Sequence, residues 1–112
     1  MGHASMAIDE KIYGLYRVLK SQNSSGTLPP QLARLPYLQE IDLTFNYLNG
    51  TIPKQWSSLN LVNISLYGNR VTGSIPKELG NITTLKRFRL GDNQFSGSIP
   101  NFIQNWKSVE TV

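Results

Sequence analysis

The apolar residues of this chain recur in register. Leu38, Ile41 and Leu43 form one triplet; Leu61, Ile64 and Leu66 form the next; Leu85, Phe88 and Leu90 form a third. Each triplet is followed by an asparagine three residues on: Asn46, Asn69 and Asn93. One further apolar side chain follows two residues later, Leu48, Val71 and Phe95. Gly-x-apolar-Pro tetrads then begin at Gly26, Gly50, Gly73 and Gly97, at spacings of 24, 23 and 24 residues, with prolines at 29, 53, 76 and 100. Three independent columns thus keep one register from Gly26 to Pro100. Self-similarity at this period predicts stacked units, each unable to bury its apolar face alone. The first unit is the weakest, because Gln22 and Ser24 stand where Asn and an apolar residue are expected.

Written as a consensus, the columns read L-x-x-L-x-L-x-x-N-x-L-x-G-x-I-P. That pattern resembles the plant-specific class of leucine-rich repeats. The resemblance implies an α/β solenoid, a right-handed superhelix of about four repeats, with parallel strands on the concave face and irregular or 3₁₀ segments outside. The stretch from Ser21 through Gly73, and the end Ile99-Pro100-Asn101-Phe102-Ile103-Gln104-Asn105-Trp106, narrow it further. They are similar to the extracellular repeats of plant receptor-like Ser/Thr kinases that combine leucine-rich repeats with a malectin-like domain. The resemblance covers roughly residues 18–112. It implies an ectodomain piece on the apoplastic side of the plasma membrane. The kinase and membrane-spanning segment would then belong to a longer parent, and this piece would not itself enter the membrane. Residues 21–112 read as repeats, the last cut within a fifth that opens with Trp106, Val109 and Val112.

Within such repeats the Asn46, Asn69 and Asn93 amides turn inward to satisfy backbone groups of adjacent turns, a structural role. At the start, Met-Gly-His-Ala-Ser-Met (residues 1–6) reads as vector sequence. Ile8, Ile12, Leu15, Tyr16 and Leu19 then recur at helical spacing, with Asp9 and Glu10 early and Arg17 and Lys20 late. This predicts an amphipathic capping helix within residues 7–20, leading into an irregular first strand, with a frayed, partly disordered start as the alternative. The Cys-containing cap usual in the resembled ectodomains is missing, and Arg17 replaces an expected apolar residue.

Composition removes several chemistries. The 112 residues are 39% hydrophobic, enough for a core, and contain no cysteine. A disulfide framework, a thiol nucleophile and a Cys-type zinc site are therefore excluded. The one histidine is His3, so a His-based dyad or metal cluster has nothing to build on. No metal or cofactor is expected. The net charge is +4, but the basic residues are scattered except for Lys86, Arg87 and Arg89, so nucleic acid is not an expected partner. No apolar run reaches the roughly 18 residues of a membrane span, and no signal-peptide core is visible. Glu40 and Asp42 would lie ~6.6 Å apart on one strand, but a shallow solenoid face offers no enclosed pocket to tune them. The chain is not expected to be an enzyme.

Recognition is the expected activity. The strand positions not used for stacking form the columns Glu40–Asn63–Arg87, Asp42–Ser65–Arg89, Thr44–Tyr67–Gly91 and Phe45–Gly68–Asp92. The face runs from acidic to basic, with aromatic groups to one side. Glu40, Asp42, Phe45, Tyr67, Arg87 and Arg89 are the candidate contacts for a peptide, a cell-wall glycan or a co-receptor protein. A secreted inhibitor of a cell-wall-degrading enzyme is the alternative. A third is ice binding, through the hydroxyl rows Thr27–Thr51–Ser74–Ser98 and Ser25–Asn49–Thr72–Ser96. Four N-x-S/T acceptors, at Asn23, Asn49, Asn63 and Asn81, fit a secreted glycoprotein, and Asn63 falls on the concave face.

Overall fold

The structure is a computed structural model. It describes the backbone of residues 8–13, 16–21 and 110–111, and both backbone and side chains of residues 25–97. Each repeat contributes two short strands and one tight turn. The first strand of a repeat, with its x-L-x-L alternation, feeds one sheet: β4 (Leu38–Asp42), β6 (Asn63–Ser65) and β8 (Arg87–Arg89). Alternation puts Ile41, Ile64 and Phe88 inward and leaves their neighbours on the open face. All three are essentially inaccessible to solvent. They pair in parallel as Ile41↔Ile64↔Phe88, so each repeat seals the apolar face of the one before.

A second sheet, absent from the sequence expectation, runs down the flank. Its strands are β3 (Ser25–Thr27), β5 (Tyr47–Gly50), β7 (Arg70–Gly73) and β9 (Gln94–Phe95), again parallel. It forms where the chain leaves the Asn turn, and Leu48 and Val71 point from it into the core. The return segments are 3₁₀ turns, Pro30–Arg34, Lys54–Ser58 and Lys77–Asn81. The preceding prolines, Pro29, Pro53 and Pro76, hold extended backbone that delivers the chain to each turn. The turns drop Leu32, Trp56 and Leu79 into the core. Trp56 is fully buried, and its indole N–H donates to the Pro29 carbonyl of the preceding repeat at 2.9 Å. Each buried Leu, Ile or Val contributes about 1.5–3 kcal/mol relative to exposure, so the stacked column dominates stability.

The asparagines stitch repeats together. The Asn69 amide donates to Leu43 O (2.8 Å) and Leu66 O (2.9 Å), and its Oδ1 accepts from Leu48 N–H (3.1 Å). Asn93 repeats the arrangement one repeat on, with Leu66 O (2.7 Å), Leu90 O (3.0 Å) and Val71 N–H (2.9 Å). Asn46 donates to Leu43 O and Thr44 O.

The N-terminal segment corrects the sequence expectation. Residues 8–13 and 16–20 do not make the expected helix: β1 (Ile8–Tyr13) and β2 (Tyr16–Ser21) pair antiparallel, and β2 adds in parallel to β4, while Leu15 lies outside the described residues. The full order is β1-β2-β4-β6-β8-β10, with β10 (Glu110–Thr111) on β8. A spacing of four, as between Ile8 and Ile12, fits a strand period of two as well as a helix. β-Branched and aromatic residues favour the strand, and the open edge of β4 supplies backbone partners that a helix would leave unused. The β2–β4 register shifts between Arg17 and Val18. Residues 1–6, Gln22, Asn23 and Ser24, Ser98, Trp106, Val109 and Val112 lie outside the described residues.

Candidate functional site

Strand pairing assembles the open face of the first sheet. Glu40, Asn63 and Arg87 are directly paired across β4, β6 and β8, as are Asp42, Ser65 and Arg89. With strands about 4.8 Å apart, the backbones of the outer members of each column are ~10 Å from one another. Asp42 is occupied locally: its Oδ1 accepts from Thr44 Oγ1 at 2.7 Å and Thr44 N–H at 3.2 Å. Thr44 Oγ1 also bonds the buried Ser65 hydroxyl at 2.6 Å. This chain fixes the Asp42 carboxylate on the face.

Two polar atoms here are left over. Asn63 Oδ1 and Arg89 Nε are buried without a hydrogen-bond partner among the described residues. They lie on adjacent strands and diagonal to each other, since Asn63 pairs with Arg87 and Ser65 with Arg89. Diagonal neighbours of this kind are about 7–8 Å apart. An orphaned buried donor or acceptor costs about 1–3 kcal/mol.

Beyond the strand ends the aromatic groups gather. Phe45 N–H donates to Tyr67 O at 2.8 Å, and the two rings meet edge to face, centroids 5.4 Å apart at 87°. Phe45 is 68% exposed and its φ is 55°. Its equivalents Gly68 (79°) and Asp92 (54°) share this left-handed conformation, which the turn toward each Asn demands. For a bulky residue that backbone costs about 1–3 kcal/mol. Gly68 meets the demand freely and lies beneath the Phe45 ring, as the contacts of its missing Cβ show. On the flank, the Arg70 guanidinium lies 5.7 Å from the centroid of the half-exposed Tyr47 ring.

Sequence reasoning located both charged columns, because a constant repeat length dictates which residues face each other across strands. It missed the role of Gly68 and the Tyr47–Arg70 pair, which arise where the chain turns. The only sequence signal was the single Gly at a position held elsewhere by Phe and Asp. The hydroxyl-bearing Thr27, Thr51 and Ser74 line an open groove of about 810 Å³ on the other side, with Ile52, Pro53 and Lys54. Of the glycan acceptors, Asn49 and Asn81 are exposed, Asn63 is half-buried, and Asn23 lies outside the described residues. Among the described residues there is no group of three or more His, Cys, Asp and Glu able to hold a metal ion. No helix there is long and apolar enough to cross a membrane.

A ladder of parallel strands, Asn-stitched turns and one apolar column per repeat defines the leucine-rich repeat class. The Leucine Rich Repeat family signature matches residues 37–59, 60–82 and 84–106, and the chain belongs to that family. It is similar to a probable leucine-rich repeat receptor-like serine/threonine-protein kinase of Arabidopsis thaliana, 53% identical over 68 residues, covering 61% of this chain and 7% of the relative. Among solved structures it is similar to the plant peptide hormone receptor RGFR1 in complex with RGF2 (TM-score 0.76, 36% identity, 80% of this chain and 14% of that one). It is also similar to the Arabidopsis receptor kinase HAESA in complex with the peptide hormone IDA and the co-receptor SERK1 (TM-score 0.74, 35% identity, 80% and 15%). The chain spans only a small part of these proteins' lengths.

Proposed function

We propose that this chain is a recognition segment from the extracellular region of a plant receptor-like Ser/Thr kinase, binding an extended peptide across the strands of its concave face. Glu40 and Asp42 would take basic groups, Arg87 and Arg89 acidic ones, and Phe45 with Tyr67 an apolar side chain. The observation that carries this reading is the open strand face itself, where pairing sets the Glu40–Asn63–Arg87 and Asp42–Ser65–Arg89 columns side by side next to the exposed Phe45 ring and its Tyr67 neighbour. The peptide complexes among the similar structures support the same reading, as does the co-receptor in the HAESA complex. A co-receptor protein is the partner class the reading adds. A cell-wall glycan would use the same aromatic ledge. A parent in the malectin-domain subfamily is part of the proposal, supported by the resemblance of residues 21–73 and 99–106 to those kinases. The kinase would reside in the parent, not in this chain.

Selection of a displayed random-peptide library on the protein tests the proposal. Selected peptides should lose at least tenfold in affinity for Arg89→Ala and for Tyr67→Ala, and keep it for Lys54→Ala, in the groove on the other side. Equal binding to all three variants would sink it.

A further inference from the structure

Three of the four glycan acceptors, Asn49, Asn63 and Asn81, lie among the described residues, and they sit in unlike places. Asn49 is exposed on β5, and the hydroxyl residue of its acceptor triplet, Thr51, is exposed as well. Asn81 ends the third 3₁₀ turn, exposed, and its Thr83 is also exposed. Asn63 differs in burial. It is half-buried between Glu40 on one strand and Arg87 on the other, whereas Asn49, also paired on both sides, to Thr27 and Arg70, is exposed. The Asn63 Oδ1 is buried. Its partner hydroxyl, on Ser65, is 3% exposed and bonded to Thr44 Oγ1 at 2.6 Å.

We propose that the folded protein carries N-linked glycans at Asn49 and Asn81 and none at Asn63, so that its glycans cover the flank and the outer turns and leave the strand face open. The chemistry is ordinary asparagine glycosylation from a lipid diphosphate-linked oligosaccharide. The amide Nδ2 bonds to C1 of the first sugar as the C1–O bond breaks. The lipid diphosphate leaves with the electron pair, and the amide proton goes to a base of the transferring enzyme. At Asn49 and Asn81 the attached sugar projects into solvent. At Asn63 the residue that would carry the sugar is itself half-buried in the β4–β6–β8 sheet, two residues from the buried Ser65, so a chain modified there has to close that sheet around the sugar, a demand the exposed Asn49 and Asn81 do not make. The inference rests on the extracellular reading above, but its test reads glycans and not ligand, so the two fail separately.

The test is site mapping by mass spectrometry on the soluble chain secreted from plant cells behind a cleavable leader. Peptides containing Asn49 and Asn81 should carry glycan, and the Asn63 peptide should be bare. Asn49→Gln and Asn81→Gln should each remove one glycan from the intact mass, and Asn63→Gln none. Thr51→Val should strip Asn49 while keeping the methyl group that packs toward Gly73. Glycan on Asn63 in the soluble fraction, or bare Asn49 and Asn81, overturns the proposal.

Discussion

The Phe45 ring occupies the space that a side chain at residue 68 would need: a Cβ built on Gly68 falls 2.4 Å from Phe45 Cδ1 and 2.8 Å from Cε1. Neither atom is at the end of a flexible chain, because the ring is also held edge-on by Tyr67. Gly68→Ala therefore has to expel the ring and pay for its own left-handed backbone, φ 79°. We expect a loss of about 1–3 kcal/mol in urea unfolding, together with loss of the Phe45–Tyr67 ring-current shifts by NMR.

Phe45 itself is held at a conformational cost while remaining largely exposed. Replacing it with Asn, which tolerates this backbone, relieves strain and forfeits an aromatic pair worth about 0.5–1.5 kcal/mol. The two effects oppose, so Phe45→Asn should shift unfolding stability by less than about 1 kcal/mol. Leu43→Ala, in the inaccessible core, should cost about 2–5 kcal/mol. A large loss for Phe45→Asn in the same denaturation series would mean that the ring supports the fold rather than a partner.

The Asn ladder should be less forgiving than its polar chemistry suggests. Asn69→Ala leaves Leu48 N–H without its acceptor and withdraws a donor from Leu43 O and Leu66 O. At about 1–3 kcal/mol for an orphaned buried group, we expect at least ~2 kcal/mol. Asn69→Asp keeps the acceptor for Leu48 but sets a carboxylate against two carbonyl oxygens, and should be no milder. Equilibrium unfolding of both variants checks this.

Trp56 offers a separation of packing from hydrogen bonding. Trp56→Phe keeps an aromatic ring but loses the bond to Pro29 O, and should cost more than the ~1 kcal/mol of that bond alone because it also leaves a void. Trp56→Ala should cost about 3–5 kcal/mol. A calorimetric melt of the two variants should rank them in that order.

What the sequence made legible follows from its periodicity. Leu38, Ile41 and Leu43 recur 23 or 24 residues on, so the pattern of one repeat names its neighbours in the next. The core and the Glu40–Asn63–Arg87 column could be written before any coordinates. The hairpin of β1 and β2 had no such copy to be checked against, and its four-residue apolar spacing suits both periods. The second sheet escaped because β5 and β7 carry only one buried side chain each, Leu48 and Val71, with Gly and polar residues between. The role of Gly68 beneath the Phe45 ring escaped because it depends on a backbone angle shared by Phe45, Gly68 and Asp92, which residue type alone does not reveal.

The central claim is that ligand lies across β4, β6 and β8. Amide chemical-shift mapping by NMR, with a peptide selected on the protein, tests it most directly. The account predicts the largest shifts within residues 40–45, 63–68 and 87–92. Shifts confined to Gly50, Thr51 and Lys54, along the opposite groove, with residues 63–68 unmoved, would contradict it.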